Sequence, residues 1–151
     1  MELKGIISLV IDYWKENSIK IIPNSIDKIE FIQKDNNLQM PSDFKYFYSR
    51  INGMGELYPN ESDKEGFLFY PIEEIMSVEK YFAGSNLVSK QNVFIFSDYM
   101  QKSWWYGFEV MEDDSYRIGI IPNKDIFVPI TNHLGDFLDL YLKDSSELYE
   151  Y

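Results

Sequence analysis

Residues 40–55 have the sequence MPSDFKYFYSRINGMG, and this stretch decides the fold. Pro41 suits the first position of a helix, because an N–H group at that position has no hydrogen-bond partner within the helix and its absence therefore costs nothing. Asn52 and Gly53 both tolerate the left-handed backbone conformation that commonly ends a helix. Between them, four apolar residues recur at helical spacing and form one stripe: Phe44, Phe47, Tyr48 and Ile51. The stretch therefore predicts a helix that begins at Pro41, buries an aromatic face and ends at Asn52-Gly53.

This stretch resembles the SUKH superfamily, which groups yeast cell-wall regulators with many bacterial toxin-immunity proteins. The resemblance is carried by Met40-Pro41, by Asp43-Phe44 at the helix start and by Asn52-Gly53 at the helix end. The sequence departs from the family's usual pattern at Gln33, where Glu is common, and at Met40, where Leu is commoner. The resemblance implies a single SUKH-like domain over residues 1–151.

Helical spacing also predicts two helices before this stretch. Residues 3–14 carry an apolar stripe, and the helix is expected to end near Asn17-Ser18. Ser25 can cap a second helix by accepting a hydrogen bond from its first turn. In that second helix three isoleucines are expected to face the core: Ile26, Ile29 and Ile32.

The second half of the chain favours strands. A short strand is expected over residues 67–70, and Pro71 is expected to begin a helix that Gly84 ends. Composition and turn signals predict four further strands: 93–96, 104–110, 116–121 and 126–130. Residues 134–142 are expected to form a last amphipathic helix. Helices first and consecutive strands later predict an α+β fold, in which helices pack around a mostly antiparallel sheet.

The chain has no cysteine, which excludes disulfides, cysteine-bound zinc and thiol nucleophiles and fits a reducing cytoplasm. Its longest early apolar run, residues 6–11, is too short to span a membrane and lacks the layout of a signal peptide. The sequence therefore predicts a cytoplasmic protein that has no membrane partner.

The formal net charge of −11 is concentrated in one part of the sequence. Residues 1–53 carry seven acidic and seven basic residues, whereas residues 54–151 carry 18 acidic and seven basic residues. Such a negative surface disfavours nucleic acids and anionic membranes as partners. It favours a basic protein partner, whose approach it would accelerate, although an acidic surface also serves solubility alone.

The sequence predicts no catalytic, cofactor-binding or metal-binding residue. His133, the only histidine, is expected at a helix start, and no nucleophile or metal motif accompanies it. Glu61, Asp63 and Glu65 lie in a polar loop, where carboxylates are expected to stay solvated and not to form an acid–base pair. A calcium loop would need alternating oxygen ligands and a closing glutamate, which this loop lacks.

Trp104-Trp105 is an unusual aromatic pair within a predicted strand. Neighbouring strand residues point to opposite faces, so either one indole lies on an outer face or flanking elements cover both. Asp98, expected in a loop just before this strand, would present a carboxylate beside an exposed indole. The predicted protein-binding surface combines these residues with the acids of the earlier loop: Glu56, Glu61, Asp63, Glu65, Asp98, Trp104 and Trp105.

The sequence leaves three functions open. By its resemblance to SUKH immunity proteins, the chain is expected to be a non-enzymatic protein that binds and neutralises a cognate bacterial toxin. Many such toxins are nucleases, and carboxylates can cover a basic surface built for phosphates. The alternatives are an intracellular adaptor of the cell-wall-regulator type and a small hydrolase that uses carboxylates. The sequence does not specify the oligomeric state.

Overall fold

The computed structural model describes residues 2–54, 63 and 65–151. Its helices are α1 (Leu3–Glu16), α2 (Ile26–Asp35), α3 (Ser42–Arg50), α4 (Val78–Tyr81) and α5 (Leu134–Leu142). Its strands are β1 (Phe67–Phe69), β2 (Met76–Ser77), β3 (Val93–Tyr99), β4 (Trp104–Val110), β5 (Tyr116–Asn123) and β6 (Ile126–Thr131). Two 3-10 turns cover Ile72–Glu74 and Ser146–Tyr149. None of the helices in these described ranges is long and apolar enough to cross a bilayer.

The strands form one antiparallel sheet in the order β1-β3-β4-β5-β6, and β2 also pairs with β3. β1 pairs with the last residues of β3, where Phe67 faces Tyr99, and β2 pairs with its first residues, where Ser77 faces Phe94. Three helices, α3, α4 and α5, pack against this sheet, whereas α1 packs on α5 and α2 packs on α3. The structure therefore confirms the α+β fold and the antiparallel sheet that the sequence predicts.

The apolar stripe of α3 is buried, as predicted. Phe44 packs against Phe108 of β4, with ring centroids 4.1 Å apart. Phe47 packs edge-to-face against Trp14 of α1, with ring centroids 6.3 Å apart. All four side chains of the stripe are fully buried: Phe44, Phe47, Tyr48 and Ile51. The removal of these large rings from water stabilises the packing of α3 on α1 and on the sheet.

The two ends of α3 differ from the prediction. Pro41 is the residue just before the helix and not its first residue, with φ −59° and ψ 155°. The helix stops at Arg50, and Ile51 is already extended, with φ −146° and ψ 130°. Within the Asn52-Gly53 pair only Gly53 has a left-handed backbone, with φ +56°. The prediction that Asn52-Gly53 ends the helix is therefore wrong, since the helix has ended before this pair.

Asn52 joins separate segments of the chain instead. Its backbone N–H donates to the carbonyl of Ile22, 2.6 Å away, in the segment before α2. Its side-chain oxygen accepts a hydrogen bond from the Ile72 N–H at 2.8 Å, and its side-chain nitrogen donates to Glu73 at 3.0 Å. Because Asn52 is buried, these bonds satisfy polar atoms that would otherwise destabilise the fold.

Two other parts of the chain depart from the sequence predictions. Ser25 caps α2 as expected, but Ile26 is 59% exposed, and Ile29 is the fully buried isoleucine of that helix. Residues 71–84 do not form one helix. They hold a 3-10 turn, β2 and the short α4, whose first turn is capped by Ser77. Pairing of β2 with β3 supplies backbone hydrogen bonds that a continuous helix would have used internally.

Candidate protein-binding surface

One end of the sheet collects the described members of the predicted surface. β1 begins, β3 ends and β4 begins at this end, because Phe67 pairs with Tyr99 and Tyr99 pairs with Trp104. Glu56 and Glu61 lie outside the described residues. The predicted residues that the register brings to this end are Asp63, Glu65, Asp98, Trp104 and Trp105.

Trp104 and Trp105 lie on opposite faces of the sheet, and each is partly buried. Trp104 shares its face with Tyr99, with ring centroids 4.8 Å apart. Trp105 lies on the other face against Phe82, with ring centroids 4.8 Å apart and nearly perpendicular planes. Other residues therefore cover part of each indole, yet both indoles keep some accessible surface. This outcome lies between the two alternatives from the sequence, in which one indole lies on an outer face or both are covered.

Four rings form a continuous cluster on the Trp104 face, and we call this cluster the aromatic patch: Tyr99, Trp104, Tyr149 and Tyr151. Tyr99 stacks on Trp104 with 27° between the ring planes. Tyr149 lies 5.2 Å from Tyr99 and 6.2 Å from Trp104, centroid to centroid. Tyr151 lies 5.5 Å from Trp104 and is 64% exposed. Clusters of accessible Trp and Tyr are typical of protein-binding hot spots.

Internal hydrogen bonds hold the indole of Trp104 in place. Its Nε1–H donates to the Tyr106 hydroxyl at 3.0 Å, and that hydroxyl donates to the Leu148 carbonyl at 2.5 Å. Tyr106 and Leu148 are both buried. Because the ring is already ordered, binding at Trp104 would lose little side-chain entropy.

Sequence reasoning missed Tyr149 and Tyr151. They belong to residues 144–151, DSSELYEY, a segment too short to show a helical or strand period. In the structure, buried Leu148 anchors this segment next to β4, and the two tyrosines follow it onto the patch. The one available signal was the dense mixture of acidic and aromatic residues after the last helix.

Asp63 is 4% exposed, so the prediction that its carboxylate stays solvated is wrong. Its Oδ1 accepts hydrogen bonds from the N–H groups of Glu65 and Phe67, each at 2.9 Å. Its Oδ2 accepts a hydrogen bond from the Tyr141 hydroxyl, which in turn accepts one from Trp14 Nε1–H at 2.9 Å. These hydrogen bonds connect the start of β1 to α5 and, through Tyr141, to α1. The carboxylate therefore holds the strand end in place from the interior.

The ionisation of Asp63 makes its contribution to stability depend on pH. Burial raises the pKa of Asp63 above its ordinary value of 3.8, and the hydrogen bonds from Tyr141, Phe67 and Glu65 offset this effect only in part. The unfolded chain then loses its proton at lower pH than the folded chain. This carboxyl therefore favours folding most at low pH, and that contribution falls as the pH rises from about 3.8 through the raised pKa.

We expect the Asp63→Asn variant to test this dependence. An amide at this position does not ionise, so the variant's free energy of unfolding relative to the wild type should improve as the pH rises through the same window. Urea unfolding at about pH 3.5 and about pH 7 measures the two differences. The exposed Glu65 provides a control, Glu65→Gln, at the same end of the sheet. A difference between Asp63→Asn and wild type that is the same at both pH values would contradict the raised pKa.

Asp98 is also buried, and it lies within β3 and not in the loop that the sequence predicts. Its Oδ2 accepts a hydrogen bond from the Tyr70 hydroxyl at 2.8 Å. The hydroxyls of Tyr70 and Tyr81 are 3.1 Å apart, and Trp105 Nε1–H donates to the Tyr81 hydroxyl at 3.1 Å. Burial raises the pKa of Asp98. This acid is therefore an internal anchor beneath the Trp105 face and has no accessible carboxylate to present.

The turn between β3 and β4 is strained. Three consecutive residues have a left-handed backbone, with φ of 48°, 54° and 68°: Met100, Gln101 and Lys102. This conformation costs roughly 1–2 kcal/mol for each such residue. The turn is fixed at its ends, where the Met100 N–H donates to Gly66 at 2.9 Å and the Ser103 N–H donates to Tyr99 at 2.9 Å. Backbone strain of this kind concentrates at binding sites.

Carboxylates surround the aromatic patch. The Tyr149 hydroxyl donates a hydrogen bond to Asp144, and exposed Glu150 follows Tyr149 directly in the chain. Burial and three nearby carboxylates raise the pKa of Tyr13 on α1 to about 12. These carboxylates are Asp63, Glu65 and Asp144. Among the described residues near the patch, exposed carboxylates therefore outnumber lysines, and this excess attracts a cationic partner.

His133 is exposed at the start of α5, as predicted. Within the described ranges, no group of three or more His, Asp or Glu side chains could hold a metal ion. A polar cavity of about 280 Å³ lies among the α2–α3 connection, β2 and β3, and neither Asp63 nor Asp98 lines it. The two buried acids are bonded to protein groups and do not face this cavity.

Comparison with protein families agrees with the sequence resemblance. A family model described as SMI1 / KNR4 family (SUKH-1) matches residues 23–140, which is more than half of the chain. The matched region starts just before α2 and ends within α5, so it includes α3 and all six strands. Comparison with individual curated proteins gives no match. The chain belongs to the SMI1/KNR4 family (SUKH-1).

Proposed function

We propose that this chain is a non-enzymatic immunity protein that binds and neutralises a cognate, basic protein toxin in the cytoplasm. Proteins of its family are in general immunity or regulatory proteins. The observation that carries the proposal is the aromatic patch. Trp104 is partly exposed, stacked on Tyr99 and fixed by its hydrogen bond to Tyr106. A rigid, accessible indole with a polar rim is typical of the residues that dominate binding energy.

The charge distribution supports a basic partner. The chain carries a net charge of −11, and exposed Glu65, Asp144 and Glu150 lie at the end of the sheet that holds the patch. Charge complementarity of this kind accelerates association and excludes anionic partners. A nuclease toxin, whose substrate-binding surface must attract phosphates, fits these requirements.

The proposed contact surface differs from the sequence prediction in its acids. Trp104 and Glu65 stay in it, and Trp105 is a second accessible indole on the opposite face. Asp63 and Asp98 are removed from it, because their buried carboxylates are bonded inside the protein. They position the strand ends that carry the surface.

An intracellular adaptor or regulator is the second candidate. The matching family model is the SMI1 / KNR4 family (SUKH-1), and the superfamily that the sequence resembles includes yeast cell-wall regulators. In this case the same patch would bind a housekeeping protein, and no toxin gene would lie next to the gene for this chain. Inspection of the adjacent genes distinguishes the two candidates.

Co-expression with the toxin encoded by a neighbouring gene tests the immunity function. We expect the wild type to restore growth of cells that produce this toxin. Trp104→Ala and Tyr151→Ala should each reduce protection, because truncation of a hot-spot ring weakens binding by about 2 kcal/mol or more, roughly 30-fold. Growth at graded levels of toxin induction measures the loss.

A matched control separates binding from general surface effects. Phe31 on α2 is 65% exposed, almost the same fraction as Tyr151, and α2 packs against α3 and the 72–74 turn. Phe31→Ala should protect as well as the wild type, and melting temperatures establish that all variants are folded. Full protection by both patch variants would show that the interface lies outside the aromatic patch. Failure of the wild type to protect would exclude the immunity function for that toxin.

A further inference from the structure

We propose that the aromatic patch takes an arginine side chain from its partner, with the guanidinium plane lying against the indole of Trp104. This inference rests on the proposed function, because it names the chemical group that the same surface would bind in a partner protein. Three features of the described residues lead to it: the ring that is accessible, the charges around it and the rigidity of the site.

Trp104 can offer a partner its ring system, because its hydrogen-bond donor is already used inside the protein. Nε1–H already donates to the Tyr106 hydroxyl at 3.0 Å, so the indole has no polar group left for a partner. Tyr99 stacks against it, and the side chain stays partly exposed. The face of an indole carries a negative electrostatic potential, which attracts a cation placed over it.

The charges near the patch favour a cation in the same place. The Tyr149 hydroxyl donates to Asp144, and Glu65 and Glu150 are exposed at this end of the molecule. Lys102, in the strained turn, is the basic residue next to the patch in the β3–β4 connection. Among the described residues, exposed Glu65, Asp144 and Glu150 outnumber the lysines near the patch, so the site can compensate the charge of an incoming cation.

Arginine fits this surface better than lysine or a nucleobase does. Its planar guanidinium stacks on aromatic rings and is more weakly hydrated than an ammonium group, so that less hydration is lost on contact. Nucleobases also stack on aromatic side chains, but they bring phosphates, which the surrounding carboxylates repel. The order already present in Trp104 favours a flat group that can stack without rearrangement of the ring.

Nuclear magnetic resonance of the three tryptophan indole N–H groups tests the inference on the full chain. The probe is a short capped peptide in which arginine alternates with glycine, compared with the same peptide carrying lysine or uncharged citrulline. We expect the arginine peptide to shift the Trp104 resonance and to bind roughly two- to fivefold more tightly than the citrulline peptide. The Trp105 resonance, on the opposite face, is the internal control.

Two variants relate the effect to the ring. Trp104→Phe keeps an aromatic face and should keep the preference for arginine, followed through the neighbouring tyrosine resonances, whereas Trp104→Leu should lose it. Both lack the bond to Tyr106, so a difference between them reports on the ring and not on that bond. Melting temperatures show whether each variant is folded.

Several outcomes would overturn the inference: equal binding of arginine and citrulline peptides, tighter binding of the lysine peptide, or a shift at Trp105 in place of Trp104. A shift of the Trp104 resonance by oligouridylate would also overturn it and would point to a nucleic acid. If the arginine preference fails while Trp104→Ala still abolishes toxin protection, this inference is wrong and the proposed function stands. If the arginine preference holds while the wild type fails to protect cells from the toxin, the immunity function is excluded for that toxin and the arginine site stands.

Discussion

Replacing Gly53 with alanine is expected to lower the free energy of unfolding by about 4 kcal/mol or more. Gly53 has a left-handed backbone, with φ +56°, and a Cβ atom there would lie 2.3 Å from the carbonyl oxygen of Tyr70. Because this oxygen belongs to the backbone, it cannot move away as the end of a flexible side chain could. Met54, the next residue, donates its N–H to the Phe69 carbonyl at 2.9 Å, so relief of the clash would separate this segment from β1. Urea unfolding measures the loss.

Two other glycines separate the causes of this loss. Gly84 also has a left-handed backbone, with φ +76°, but the nearest atom to an added Cβ is Lys124 Nζ at 3.9 Å. Gly84→Ala should therefore cost only the roughly 1–2 kcal/mol of backbone strain. Gly135 lies in α5, and its nearest atoms are 4.0 Å away, so Gly135→Ala should be neutral or stabilising by up to about 1 kcal/mol. If Gly53→Ala costs no more than Gly84→Ala, the close approach to Tyr70 is not real.

Replacing Phe47 with alanine is expected to lower the free energy of unfolding by about 3–5 kcal/mol. Phe47 is fully buried where α3 meets α1 and β1, and its ring lies 6.3 Å from Trp14 and 6.4 Å from Phe69, centroid to centroid. Truncation leaves a cavity between rigid aromatic rings, which cannot collapse to fill it. Thermal or urea unfolding of the purified variant gives the value.

The exposed Phe31 supplies the control for the same chemical change. Phe31→Ala removes a ring that is 65% accessible, so its effect should stay within about 0.5 kcal/mol. A cost for Phe47→Ala as small as this would contradict the burial of the α3 stripe. The comparison thus tests the central structural claim about residues 40–55 without reference to any partner.

Local periodicity explains which parts of the fold could be predicted from the sequence. The α3 stripe, the α1 stripe and the strands from Trp104 to Thr131 each repeat with the period of one element, so a few residues suffice to identify them. The resemblance to the SUKH superfamily rests on the same short stretch, and the family match over residues 23–140 confirms it.

The errors arise where distant segments decide the structure. Asn52-Gly53 has the composition of a helix end, but the hydrogen-bond partners of Asn52 come from other parts of the chain: Ile22, Ile72 and Glu73. No local pattern could show that these partners lie within hydrogen-bond distance. The predicted helix over residues 71–84 fails for the same reason, since pairing of β2 with β3 competes with helix formation.

The candidate site could be predicted only in outline. Trp104 can be found because two adjacent tryptophans stand out in any sequence, and Glu65 because its loop is acidic. In the sequence, Asp63 and Asp98 resemble surface acids. Nothing nearby in the sequence reveals that the hydroxyls of Tyr141 and Tyr70 donate hydrogen bonds to them in the interior. The tyrosines after α5 reach the patch only through the anchoring of their segment on the sheet.

The dissociation constant of the complex between this protein and the neighbouring gene's toxin tests the proposed binding surface most directly. We predict that wild-type affinity weakens as salt rises from about 50 to about 300 mM, because carboxylates meet a basic surface. We also predict that Trp104→Ala and Tyr151→Ala each bind roughly 30-fold more weakly or worse, and that Phe31→Ala binds like the wild type. Wild-type affinity in both patch variants, with every protein folded, would contradict the proposed surface.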